Sequence, residues 1–159
     1  MPINREEIIK AVDRLEEMPS GLHIKYAVSA FGNEKEITED SLSHLTMKIK
    51  KCKNLGIFLS QDSDLEGDHM HIEIDNNWIS LQYIENDGTK DACFYSSFNS
   101  AYLDSEEESP MRCSDGQSII LTRYTMHDSE LVAKCVEYFV RTGNLYSGMS
   151  WLKGWTDWE

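Results

Sequence analysis

The strongest constraint on the fold is the stretch Ser129–Gly143. Leu131, Val132, Cys135, Val136, Phe139 and Val140 recur there at helical spacing and give one broad apolar face. Asp128 or Ser129 can cap its start, Glu130 sits in the first turn, Arg141 in the last, and Gly143 at the left-handed stop. A helix with so wide an apolar face must be covered by a layer of comparable width, and a sheet is the natural partner.

Upstream, Asn4 can cap a helix to about Met18, with Glu7 placed for a capping box and Ile8, Val12 and Leu15 as its stripe. Leu22–Ala30 alternates and reads as a strand. Thr38 caps a second helix to about Lys53, with Leu42, Leu45, Ile49 and Cys52 on one face. Lys48, Lys50, Lys51 and Lys53 fall at its end, where they suit the helix dipole. From Gly56 the period becomes two. Ile57–Ser60, Met70–Asp75, Trp78–Ile84 and Ala92–Ser97 read as strands, separated by the turn chemistry of Asn76-Asn77 and Asn86-Asp87-Gly88. Asp104–Pro110 is an acidic loop and Ser118–Arg123 a further strand. Together these predict a single α+β domain over residues 1–159. Its one antiparallel sheet is a meander, with helices from both chain ends packed on one side.

Charge narrows the partners. The 159 residues carry a formal net charge of −13, and 13 of the 28 acidic residues lie between Gln61 and Glu108, where Lys90 is the one base. Such a field repels nucleic acid and anionic membrane and speeds encounter with a basic partner; the plain alternative is a surface kept soluble by charge. No run approaches a membrane span, and the N-terminus, with Arg5, Glu6, Glu7 and Lys10, does not read as a signal peptide. Cys52, Cys93, Cys113 and Cys135 contain no C-x-x-C. A disulfide stays open, with buried free thiols in a reducing cytoplasm as the expectation.

Two stretches have metal-ligand spacing. Asp62-x-Asp64-x-Glu66-Gly67, five residues, then Glu73 has the spacing of a calcium loop, but its flanks read as strands where helices are required. His69 and His71 share a strand face with Glu73 and Asp75 and can offer two imidazoles to zinc, whereas His23, His44 and His127 belong to no signature. The expectation is no metal and no cofactor; a calcium or zinc protein, or a metal-dependent hydrolase built on Asp62–Glu73, is the alternative. No G-x-S-x-G, glycine-rich phosphate loop or cysteine motif is present, which favours binding over catalysis.

The C-terminal helix also carries a resemblance. Ala133, Val136, Tyr138, Phe139, Thr142 and Gly143, followed by Trp151, are similar to the C-terminal signature of an immunity-protein family (immunity protein family one). Its members are cognate inhibitors of polymorphic and contact-dependent growth inhibition toxins of bacteria. Asn144-Leu145-Tyr146 and Gly148-Met149-Ser150 depart from the family pattern, which often has Pro after the Gly and an apolar pair before the Trp. The resemblance implies a cytoplasmic, non-catalytic inhibitor that forms a one-to-one complex with a toxin C-terminal domain, with Trp151 closing the core beneath the helix. The contact residues come from charge instead. An acidic surface suits a basic, nucleic-acid-directed toxin, and points to Asp62, Asp64, Glu66, Asp68, Asp104, Glu106, Glu107 and Glu108, with Tyr95 and Tyr102 as aromatic anchors. Trp155 and Trp158 are either interface anchors or a frayed tail.

Overall fold

The computed structural model describes residues 2–12, 17–29, 33–62, 67–113 and 119–158. Eight strands form one antiparallel sheet: β1 (Ile3–Ile9), β2 (Tyr26–Ser29), β3 (Glu34–Glu36), β4 (Asn54–Ser60), β5 (His69–Asp75), β6 (Trp78–Glu85), β7 (Cys93–Ser96) and β8 (Trp151–Asp157). Their spatial order is β1-β8-β7-β6-β5-β4-β2-β3, so β4 to β7 run as a meander, β8 returns beside β7 after the second helix, and β1 is added beside β8. Two helices, α1 (Glu39–Lys51) and α2 (Ser129–Thr142), pack together on one face. The expected α+β class and single antiparallel sheet are therefore observed.

The helix ends follow from local chemistry. The Asp128 carboxylate accepts from the Leu131 N–H at 3.1 Å, and Gly143 stops α2 at φ 76°. A Cβ at Gly143 would be strained by that φ and would also meet the His23 ring at 2.5 Å. At α1, Thr38 and Ser41 satisfy each other's backbone N–H groups. Arg141 then ties the helices, bonding Glu137 within α2 and Glu39 at the start of α1, both at 2.8 Å. That hydrogen bond holds the Glu39 carboxyl below the usual carboxylate range. Beneath the helices Leu42, Ile49, Val132, Val136 and Phe139 meet Leu59, Met70, Ile72, Ile79 and Leu81 in one core. Asn76 and Asn77, both at positive φ, make the tight β5–β6 turn.

The other face is crossed by the long connection between β7 and α2. Met126 bridges Ile79 where β7 has already ended, Tyr124 sets its ring edge-on to Phe94, and the Arg112 N–H donates to Asp75 at 2.6 Å. Glu73 and Ser80, which alternate away from the helices, are consequently each only 4% exposed.

Several expectations are corrected. The Asn4–Met18 helix is the edge strand β1 at Ile3–Ile9, paired along its whole length with β8; residues 13–16 lie outside those described. Both chain ends thus supply neighbouring strands, and the helices come from residues 39–51 and 129–142. The tail holding Trp155 is an internal strand, and Trp151 is 3% exposed with its indole N–H on the Tyr146 carbonyl. The Leu22–Ala30 strand shrinks to Tyr26–Ser29, because the His23 and Ile24 N–H groups are spent on the Val140 carbonyl; Ala30 lies outside the described residues. Ser118–Arg123 is not a strand: Leu121 makes a single bridge to Glu108, and Thr122–Tyr124 forms one 3-10 turn. Ser118 is outside the described set. Cys52 caps α1 and is exposed, so only Cys113 and Cys135 are buried thiols; all four cysteines are free. No helix is long and apolar enough to cross a membrane.

Candidate binding surface

Antiparallel connectivity brings the β4–β5 and β6–β7 turns to the same end of the sheet. Asp68 latches them: one carboxylate oxygen accepts from the Asn86 backbone N–H at 2.9 Å, the other from the Tyr83 hydroxyl at 3.5 Å. Ser60 fixes the β4 side, donating to the Asp68 carbonyl at 3.0 Å and accepting from the Asp62 N–H at 3.1 Å. Asp62, Asp68, Asp87 and Asp91 are all exposed there, with Glu85 half-buried behind them. Among the described residues none of these four aspartates forms an ion pair.

Neighbouring titratable groups register the negative field. Burial, then Asp68 and Glu85, push the Tyr83 hydroxyl well above its ordinary range. Cys93 donates to Glu85 at 3.0 Å, and burial together with that bond pushes its thiol up to about 11. Tyr95 rises to about 12 through burial, Cys93 and Glu85. A carboxylate cluster without an ion pair among the described residues attracts basic groups from outside.

From this end a groove of about 470 Å³ runs along the face away from the helices, past Asp87, Phe94, Tyr124 and Gly154 to Arg5 and Glu6. Glu6 also borders a shallower hollow with Asp104 and Arg123. Arg123 is clamped there by Glu6 and by Glu106 at 3.6 Å. Burial and Glu6 raise the Tyr124 hydroxyl.

The anticipated contact residues therefore divide. Asp62 and Asp68 lie in the sheet-end cluster; Asp64 and Glu66 belong to the same loop but lie outside the described residues. Asp104, Glu106, Glu107 and Glu108 sit on the far-face connection. There the Glu107 backbone bonds Ser105 and Thr122, and Glu108 bridges Leu121. Tyr102 ends the 3-10 turn Ser100–Tyr102 and is half-buried. Tyr95 is on the helix side, beside Tyr83 and 5.6 Å beneath the Lys153 ammonium. Glu85, Asp87 and Asp91 join Asp62 and Asp68 only through strand register, so charge counting along the chain could not select them.

Strands β4 and β5 frame the calcium-spaced loop, as the sequence indicated. Its last position, Glu73, is buried, and its carboxylate lies 3.0 Å from His71 Nε2. The His71 ring stacks on Phe58 at 4.1 Å, and His69 Nδ1 lies 3.2 Å from the Gly67 carbonyl. Among the described residues no group of three or more His, Cys, Asp or Glu side chains is arranged to hold a metal ion.

No family model, no curated protein and no solved structure matches the chain.

Proposed function

We propose that this protein is a non-catalytic, cytoplasmic immunity protein that binds a basic toxin domain one-to-one and blocks its active site. The observation that carries the reading is the sheet-end cluster: Asp62, Asp68, Asp87 and Asp91 are exposed, held on two latched turns, and without an ion pair among the described residues. A toxin that cleaves or modifies nucleic acid needs a basic cleft. Carboxylates on a rigid sheet end can occupy the places its substrate's phosphates would take, giving fast, salt-sensitive association. The groove beside Phe94 and Tyr124 offers an apolar seat next to that charge. The C-terminal helix signature and its Trp151 supply the choice of an immunity protein among acidic binders.

The test is co-expression with the product of the adjacent gene, followed by purification and a growth-protection assay. A stable one-to-one complex with protection is the expected result; neither complex nor protection overturns the reading. The site is tested separately by Asp62→Lys, Asp87→Lys and Asp91→Lys together. That variant should weaken the complex at least roughly a hundredfold, since each reversed charge meets a basic cleft. Undiminished affinity would remove the sheet end from the interface and leave Asp104–Glu108 as the acidic surface to test.

A further inference from the structure

From its exposed edge we infer that β1 pairs with β1 of a second copy of this chain, making a continuous sheet across a two-fold axis at Glu6. The inference stands independently of the toxin reading.

All seven residues of β1 are exposed, and among the described residues only β8 pairs with it. Among the described residues its outer backbone N–H and C=O groups have no strand partner and form an open template. Exposed apolar side chains gather at this edge: Ile3, Ile8, Ile9, Val12 and the adjoining Trp158 are five of the nine large exposed hydrophobics among the described residues. A strand with three exposed isoleucines, flanked by Val12 and Trp158 beside open backbone, has the character of an interface.

Charge selects the partner and the register. Set antiparallel about Glu6, two copies of β1 place Arg5 opposite Glu7 twice and Ile3 opposite Ile9 twice. Glu7 already faces Lys153 on β8, so the new pair continues a row of alternating charge from Lys153 to Glu7 to the second copy's Arg5. Among registers that keep both helix layers on one side, a slip of two residues either way sets Arg5 against Arg5 or Glu7 against Glu7. The axis brings the two Glu6 side chains together, and each is held by its own Arg123. The acidic sheet-end turns lie away from this edge, on β4 to β7.

Sedimentation velocity of the 159-residue chain, from nanomolar to near-millimolar, reads the association directly. A concentration-dependent dimer is expected. Arg5→Glu and Glu7→Arg should each weaken it roughly tenfold or more, since each substitution sets like charges opposite at two symmetric positions. The double variant should restore it wherever its melting stays native, because across the axis the opposed charges have only changed places. Within each copy it breaks the Arg5–Asp157 pair and sets a second cation opposite Lys153. A monomer at every concentration overturns the inference. So does a dimer indifferent to the single variants, or one that the double variant fails to restore while circular dichroism shows native melting. Where a single variant melts early, Glu6→Cys in a Cys52→Ser background decides. Directly opposed strand residues lie about 4.5–5.5 Å apart at Cα, within disulfide range, so oxidation should give a cross-linked dimer, and its absence overturns the register.

Discussion

Cys135 shows how one residue's surroundings fix its chemistry. It is fully buried on the core face of α2, with its sulfur 3.7 Å from that of Met149. Burial, then the Asp128 carboxylate, pushes its thiol up to about 12 from an ordinary 9.0. The folded chain therefore keeps a proton that the unfolded chain releases near 9, so its contribution to stability is whole below 9 and drains away between about 9 and about 12. Urea midpoints measured across that range should fall in the parent and fall less steeply in Cys135→Ala. The variant should start lower by about 1–2 kcal/mol for the lost sulfur. Thiol labelling of the native protein provides a second check. Exposed Cys52 should react first, and Cys93 more slowly because its thiol is raised and bonded to Glu85. Cys113 and Cys135 should react only on unfolding.

At the scale of elements, β8 holds the two ends of the chain in one sheet. Gly154 makes room for the Phe94 ring: a Cβ there would meet it at 2.3 Å. Gly154→Val should cost about 1–3 kcal/mol by overpacking the β7–β8 contact. Combining it with Phe94→Ala should recover part of that loss, and a double-mutant cycle in urea measures the coupling. The same strand marks the limit of what local sequence encodes. The cap and stop of α2, the Thr38 cap of α1 and the β4 to β7 meander were legible, because each is written in neighbouring residues: Asp128 and Gly143, Thr38 and Ser41, Asn76-Asn77. Strands β1 and β8 were not, because each is a strand only beside the other, from opposite ends of the chain. The Asn4–Met18 stretch has a capping residue and a helical stripe, yet over Ile3–Ile9 pairing with β8 overrides both. The binding surface divides in the same way. Asp62 and Asp68 were readable from charge density, whereas Asp87 and Asp91 reach them only by the β5–β6 register and the Asp68–Asn86 latch.

For the whole molecule, a net charge of −13 has opposite consequences for folding and for the proposed binding. The sheet-end aspartates repel one another, so the folded chain should gain stability as salt screens them, with the melting temperature rising from low to moderate ionic strength. Association with a basic partner should weaken over the same range, because salt screens that attraction too. Replacing Asp62, Asp87 and Asp91 by Asn separates the two effects. The variant should melt higher than the parent at low salt, by about 3 °C, and its salt dependence should flatten. Its affinity for the basic partner should fall together with its salt sensitivity. Asp68 is left in place, since its carboxylate is bonded to Asn86 and to the Tyr83 hydroxyl and so has a structural part to play. Melting scans at two ionic strengths, on parent and variant alone, check the folding half without any partner. If the melting point at low salt were unchanged, these carboxylates would lie too far apart in solution to repel. The sheet end would then be a looser surface than the latched turns imply, and its charge could steer a partner without fitting it.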